Sequence, residues 1–123
     1  MFTYAKAQFA DGNLDETIRV LEKAEAVSNN EKIRQRKLLL ALSYEGQKNI
    51  QKAEDYFIAA QGGFTGEEAR TRYGLFLKGI GKNDEAVKMF HKVIESCRIS
   101  SWSYRQEQKI WLRIAKDNVI KEG

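Results

Sequence analysis

Three segments of this chain share one residue pattern, and they begin 36 and then 33 residues apart. Their first residues are Gly12, Lys48 and Gly81. Each segment carries residues suited to a buried helix face five, nine and twelve positions after its first residue. These residues are Thr17, Leu21 and Ala24 in the first segment, Ala53, Phe57 and Ala60 in the second, and Ala86, Phe90 and Val93 in the third. A pattern that recurs at about this period indicates stacked pairs of helices, because one pair alone cannot bury its apolar face.

A second amphipathic helix is predicted before each of these segments. It carries a small residue and, three positions later, a larger one, in the pairs Ala5 and Gln8, Ala41 and Tyr44, Gly74 and Leu77. Small residues on both helices of a pair allow the two backbones to approach closely. Each unit is therefore predicted to be a helix, a tight turn and a second helix.

The sequence as a whole predicts about seven helices and no strand. Their ranges are 1–10, 14–27, 31–46, 50–61, 66–79, 84–97 and 102–120. Helix starts are also signalled by the capping residues at Asn29–Asn30 and at Thr65, and a helix end by Gly62–Gly63.

The repeated residues resemble the tetratricopeptide repeat. In that family the first helix carries a small residue and a Tyr-like residue, and the second carries an alanine, an aromatic residue or leucine, and another alanine. The resemblance covers units at about 1–29, 30–64 and 65–99. It implies an all-α fold, a right-handed α-solenoid of three helix-turn-helix units. The family's terminal proline is absent from every unit, since the chain contains no proline.

A narrower resemblance runs from Thr65 to the C-terminus. It is similar to the C-terminal part of a group of divergent, largely uncharacterised bacterial tetratricopeptide-repeat proteins. The residues that carry it are Gly66-Glu67-Glu68-Ala69-Arg70, Arg72-Tyr73-Gly74, Gly81, Asp84-Glu85-Ala86 and Trp111.

The last predicted helix differs from the repeats. Its apolar residues form one stripe, and most of its basic residues lie away from that stripe. The stripe consists of Ile110, Trp111, Ile114, Ala115 and Val119. A stacked array needs an end element with one apolar and one polar face, so residues 102–120 are predicted to cap a single domain over residues 1–123.

The first predicted helix carries Phe2, Tyr4 and Phe9 with no capping residue ahead of it. We therefore expect this chain to be a fragment of a longer repeat protein. An upstream repeat, or a second copy of the chain, is expected to cover Phe2 and Phe9.

The composition of the chain limits the cellular compartments in which we expect it. No apolar run approaches the ~18–20 residues that span a bilayer. The single cysteine, Cys97, excludes an intramolecular disulfide and favours a reducing compartment. We expect a cytoplasmic protein, and the resemblance leaves open a membrane tether upstream of Met1.

The net charge of +4 lies entirely in the second half, which holds twelve basic and eight acidic residues. A basic patch is predicted on the last helix, at Arg105, Lys109, Arg113 and Lys116. Two interpretations stay open: a solvated outer face, or a surface that binds nucleic acid or another anionic surface weakly. The charge excess is small, so nucleic acid is the less favoured partner.

No catalytic constellation is found in the sequence. His91 and Cys97 are the only residues of their types, and their spacing of six positions directs them to different sides of one helix. The carboxylate pairs occupy first turns of predicted helices, where their negative charge interacts favourably with the helix dipole. We therefore predict no enzyme activity, no cofactor and no metal.

The remaining function is binding. In the tetratricopeptide architecture the first helix of every unit lines a concave groove, and ten residues here match that face. They are Lys6, Phe9, Gln35, Leu38, Leu42, Glu45, Glu68, Thr71, Leu75 and Lys78. Leu38 and Leu42 serve either as anchors for a partner or as part of the core between repeats, and the sequence does not decide between these roles.

We predict a protein-interaction scaffold that binds a peptide or a partner helix in this groove. A purely structural assembly module is a further alternative. One family function is disfavoured, because the clamp that holds a terminal carboxylate needs Lys, Asn, Asn, Lys and Arg at positions that here read Phe2, Lys6, Leu39, Glu68 and Arg72.

Overall fold

The computed structural model describes residues 2–26, 32–61 and 66–120, and within these ranges it contains eight helices and no strand. The helices are α1 (Phe2–Ala10), α2 (Leu14–Ala26), α3 (Ile33–Gly46), α4 (Ile50–Ala60), α5 (Glu68–Gly79), α6 (Asn83–Ile99), α7 (Trp102–Glu107) and α8 (Lys109–Ile120). The all-α prediction is therefore confirmed for this part of the chain.

The predicted last helix is two helices in the structure. Gln108 separates α7 from α8, with backbone angles of −100° and 10°. Its side-chain oxygen accepts the backbone N–H of Glu67 at 2.8 Å, a contact with a distant residue that no helical periodicity reveals. The predicted signals at Asn29–Asn30, Gly62–Gly63 and Thr65 lie outside the described residues.

The three predicted turns have the same backbone hydrogen bonds. Gly12, Lys48 and Gly81 are left-handed, with φ of 84°, 63° and 87°. The N–H of the following residue donates across the turn at 2.9 Å to the carbonyls of Gln8, Tyr44 and Leu77 respectively. This is the Schellman motif, which satisfies the last carbonyls of one helix and redirects the chain into the next.

Lys48 occupies a position where the other two turns have glycine. A left-handed conformation costs a residue with a Cβ roughly 1–2 kcal/mol. The equivalent glycines, Gly12 and Gly81, have no heavy atom within 4 Å of an added Cβ. Backbone conformation, and not side-chain space, therefore decides which residue is preferred at this turn.

Within each pair, the repeated residues form the buried contact. Phe57, Leu21 and Phe90 are at most 1% exposed, and the small residues Ala53 and Ala86 are equally buried. Thr17 takes the alanine position of the first copy, and its hydroxyl donates to the carbonyl of Asn13 at 2.8 Å. The local hydrogen bond explains how a polar residue is tolerated there.

The backbone of α5 lies close to a side chain of α6. A Cβ added to Gly74 would lie 2.7 Å from Cε1 of Phe90. The ring of Phe90 thus lies directly on the α5 backbone, in the space that any other residue would fill.

The chain divides into two compact units, Met1–Gly62 and Gly63–Gly123. In the first unit, α1 pairs with α2 and α3 with α4, and α3 contacts both members of the first pair. In the second unit, α5 pairs with α6, and α8 contacts both of these helices. Ala115 of α8 is fully buried, and the short helix α7 contacts α6 and α8.

The turn geometry predicts that Lys48→Gly stabilises the protein. We expect the free energy of unfolding to rise by up to about 1 kcal/mol in urea titrations, because glycine adopts the left-handed conformation without a steric penalty. Gly12→Ala is the matched control and should lower it by about 1 kcal/mol. Equal effects of the two substitutions would contradict this account.

The helix contact predicts opposite effects at two glycines of α5. Gly74→Ala should lower the free energy of unfolding by about 1–3 kcal/mol, because its methyl group would overlap the Phe90 ring. Gly79→Ala has no heavy atom within 4 Å of the added Cβ, and should raise stability by about 0.4–1 kcal/mol. A tolerated Gly74→Ala would show that the backbones are not in tight contact.

Candidate functional site

In the first unit, four of the predicted groove residues lie on α3. Gln35, Leu38, Leu42 and Glu45 are spaced three, four and three positions apart, which places them on one helix face. Both leucines are half-buried, as is Glu45, whereas Gln35 is exposed. The leucines therefore contribute to packing and still expose part of their surface.

The neighbouring helix α1 supplies the other two groove residues of this unit. Lys6 is exposed and Phe9 is half-buried, and α1 contacts α3. The ammonium groups of Lys6 and Lys32 lie 5.6 and 5.4 Å from the ring centre of Phe2, within cation–π range. Phe2 is half-buried, and the two lysines cover part of its ring within this unit.

In the second unit, the matching face of α5 is partly engaged by other side chains. Thr71 is fully buried, so it belongs to the interior and not to an exposed binding surface. Nζ of Lys78 lies 2.7 Å from Oδ1 of Asn118 on α8. Leu75 is 39% exposed and remains the accessible apolar residue of this stripe.

Glu68, the remaining residue of the α5 stripe, pairs with Arg72 at 2.8 Å. The guanidinium of Arg72 also stacks over the ring of Trp111, 5.1 Å from its centre. Both residues of the disfavoured carboxylate clamp on α5 are thus engaged with partners within the unit. The α5 face contacts α8 through these side chains.

The four residues of the predicted basic patch have two different environments. Arg105 is half-buried, and its Nη1 donates to the carbonyl of Ser100 at 2.6 Å, at the C-terminal end of α6. A cation at the C-terminal end of a helix interacts favourably with the helix dipole. Lys109, Arg113 and Lys116 are exposed on α8.

A buried carboxylate in the second unit was not predicted as a site. Glu67 is 2% exposed. Its Oε1 accepts from Arg70 at 2.9 Å, and its Oε2 accepts from Ser96 at 2.8 Å and from the hydroxyl of Tyr104. These donors come from α5, α6 and α7, so one carboxylate joins three helices. The only sequence signal is the pair Glu67-Glu68 at a predicted helix start. Acidic residues are common in the first turn of a helix, so this pair does not indicate a buried carboxylate.

The Glu67 network perturbs neighbouring groups. Burial, together with the hydrogen bond to Glu67, raises the pKa of Tyr104 to about 12. Burial also raises the pKa of the Cys97 thiol, and the Glu67 carboxylate adds to the rise. Cys97 is 1% exposed, so its environment opposes formation of the reactive thiolate.

The first unit contains a stacked aromatic cluster instead. The rings of Tyr44 and Tyr56 are parallel within 4° and their centres are 5.7 Å apart. Lys52 lies over Tyr44 at 5.3 Å, and Lys37 lies over Tyr56 at 5.7 Å. Lys37 also pairs with Glu25 at 2.9 Å. The cluster links α2, α3 and α4, and each of its two cations lies over an aromatic ring.

The described residues contain no group of three or more His, Cys, Asp or Glu side chains placed to hold a metal ion. In the same ranges, no helix combines the length and the apolarity that crossing a bilayer requires. No family model, no curated protein and no solved structure matches this chain.

The Tyr104–Glu67 hydrogen bond predicts a pH-dependent stability difference. Tyr104→Phe should lower the free energy of unfolding by about 1–3 kcal/mol at neutral pH, because a buried carboxylate loses a donor. The raised pKa means that the folded state holds the phenol proton more tightly than the unfolded chain does. The contribution is therefore complete below about pH 10, the ordinary tyrosine value, and is lost as the pH rises towards about 12.

Urea titrations of both proteins from neutral pH upwards measure this difference. Ser96→Ala is the matched control, since it removes the other hydroxyl donor to the same oxygen and introduces no titration. Its stability deficit should stay constant up to about pH 10. At higher pH it should change less than the Tyr104→Phe deficit, because Ser96 modulates the pKa of Tyr104 but leaves the phenol in place. A Tyr104→Phe deficit that stays constant up to pH 12 would contradict the assigned hydrogen bond.

Proposed function

We propose that this chain is a non-catalytic protein-interaction module of the tetratricopeptide-repeat type. It binds a peptide or a partner helix through the outward face of α3, with the adjoining helix α1 of the same compact unit. The observation that carries the proposal is the α3 stripe, in which half-buried Leu38 and Leu42 lie between the polar residues Gln35 and Glu45.

The repeated turn supports the tetratricopeptide assignment. Three copies of one Schellman turn occur at the predicted positions, with the same cross-turn distance of 2.9 Å. The residues that follow each turn at the family's alanine and aromatic positions are buried. The right-handed solenoid of three repeats that the resemblance implies is part of this proposal.

The chemistry of the α3 stripe suits an amphipathic ligand. A few apolar anchors with a polar rim supply most of the affinity of such interfaces. Leu38 and Leu42 are the anchors, and the half-buried Phe9 lies on α1, which contacts α3.

The absence of catalysis is supported by the state of the reactive groups. Cys97 is buried with a raised pKa. The buried carboxylate of Glu67 accepts hydrogen bonds from Arg70, Ser96 and Tyr104. Neither group faces a substrate in the reactive form that nucleophilic or acid–base catalysis needs. A free thiol is consistent with the proposed cytoplasmic location.

A phage-displayed library of twelve-residue random peptides tests the proposal, because selection from such a library does not require an identified partner. The dissociation constant of the enriched peptide is then measured by fluorescence anisotropy for each variant. Leu38→Glu with Leu42→Glu should weaken binding more than about tenfold, which corresponds to about 1.4 kcal/mol. Circular dichroism verifies that the helices persist.

Ile50→Glu with Ile58→Glu is the matched control. Both isoleucines lie on α4 of the same unit, and they are 42% and 54% exposed. This control should change the affinity by less than about twofold, since surface substitutions away from a binding face have small effects. Gln35→Lys tests the same face at an exposed position where folding is not at stake. Enriched peptides that bind every variant equally would exclude the α3 stripe as the binding face.

A further inference from the structure

Two adjoining depressions lie beside α8 in the second unit. The first has a volume of about 400 Å³ and is lined by Ile94, Cys97, Arg98, Arg105, Leu112 and Lys116. The second has a volume of about 490 Å³ and is lined by Lys109, Ile110, Leu112, Arg113, Lys116 and Asp117. Leu112 and Lys116 line both, so the two form one continuous trough, which we call the basic trough.

The trough has a strong excess of positive charge. Five of its lining residues are basic, and Asp117 is the one carboxylate among them. Arg98 is paired with Glu95 at 2.6 Å, and Arg105 is bound to the carbonyl of Ser100. Among the described residues, Lys109, Arg113 and Lys116 form no hydrogen bond or ion pair. Three exposed cations are thus available to a ligand.

The floor of the trough is apolar and recessed. Ile94 and Leu112 are half-buried, and Cys97 is 1% exposed. Ile110 lies at the margin of the second depression and is 62% exposed. Cations surround apolar surface here, so a ligand that fits must carry both negative charge and apolar groups.

We propose that the basic trough binds an acidic peptide segment of a partner protein, with its carboxylates on Lys109, Arg113 and Lys116 and its apolar side chains on Leu112 and Ile110. Charge complementarity of this kind determines orientation and accelerates association. The site is independent of the α3 stripe, since it lies on other helices and in the other unit. One surface can therefore fail its test without affecting the other.

The shape and lining of the trough favour a peptide over two other anionic partners. A bilayer requires several apolar groups that protrude into it, whereas Ile110 is the one exposed apolar residue that lines the two depressions, and Ile94, Cys97 and Leu112 are half-buried or buried. Single-stranded nucleic acid requires aromatic faces for base stacking, and no aromatic residue lines either depression. Trp111 of the same helix is already stacked with Arg72.

A fluorescein-labelled peptide of repeated Glu-Glu-Leu-Leu units, twelve residues long, is the probe for anisotropy titrations of the whole chain. We expect saturable binding that weakens as salt is raised, because exposed charges are screened. Two matched peptides, with Gln in place of every Glu or Ser in place of every Leu, should each bind at least about tenfold more weakly. Equal binding of the Gln peptide would overturn the proposal.

Charge reversal locates the site. Arg113→Glu with Lys116→Glu should weaken binding of the probe by about tenfold or more. Lys88→Glu with Lys92→Glu is the matched control, since these lysines are exposed on α6, line neither depression and give the same change in net charge. This control should weaken binding less than about threefold. Equal losses in both variants would show attraction to overall charge and would overturn the assignment to the trough.

Ile110→Ser tests the apolar part of the site, and we expect it to weaken binding several-fold without changing the salt dependence. Titrations with phosphatidylserine-containing vesicles and with single-stranded DNA complete the comparison. If vesicles or DNA bind more tightly than the peptide, with the same sensitivity to Arg113→Glu and Lys116→Glu, that ligand and not a peptide occupies the trough, and the proposal is overturned.

Discussion

A left-handed residue at the end of the first helix of each pair is the constraint on which the rest of the fold depends. At Gly12, Lys48 and Gly81 the chain leaves one helix and enters the next, and the following N–H closes each turn with a bond of 2.9 Å. Because the second helix begins within a few residues, its alanine and aromatic positions are brought against the small residue of the first. The turn thus sets the register in which Phe57 and Phe90 become buried.

Some cations are held by partners within their unit and others are not, and this difference separates structural from available cations. In the first unit, Lys37 and Lys52 lie over the stacked rings of Tyr56 and Tyr44, and Lys37 also pairs with Glu25. In the second unit, the exposed basic residues of α8 have no such neighbours among the described residues. Positive charge that is not compensated within the fold is available for association with another molecule.

Glu67 shows how a buried charge is retained in a small unit. Removing a carboxylate from water is costly unless it is fully hydrogen-bonded. Here the compensating donors are Arg70, Ser96 and Tyr104, from three different helices. The short helix α7 contains no buried residue, and its hydrogen bond to Glu67 gives it a defined position that apolar burial alone would not. This arrangement connects α5, α6 and α7 within the second unit.

Local and periodic features were predictable from the amino-acid sequence. The helices, the three turns, and the burial of Ala41, Ala53 and Phe90 all follow from spacing and residue size, which depend on neighbours within a few turns of helix. Leu38 and Leu42 are half-buried, which is compatible with both of the roles that the sequence left open, a partner anchor and a part of the core. The break at Gln108 and the burial of Glu67 were not predictable, because both depend on partners about 40 residues away in the chain.

The sequence by itself determined that this protein is helical, where its chain reverses, and which residues form the contact within each helix pair. Only the tertiary structure decided which polar side chains are used internally. Glu67 is buried among three donors and Arg105 closes the end of α6, whereas Lys116 remains exposed beside an apolar floor. The physical reason is that a charged residue on a helix has the same local pattern in all of these cases, and its role depends on whether the fold places a hydrogen-bond partner within about 3 Å of it.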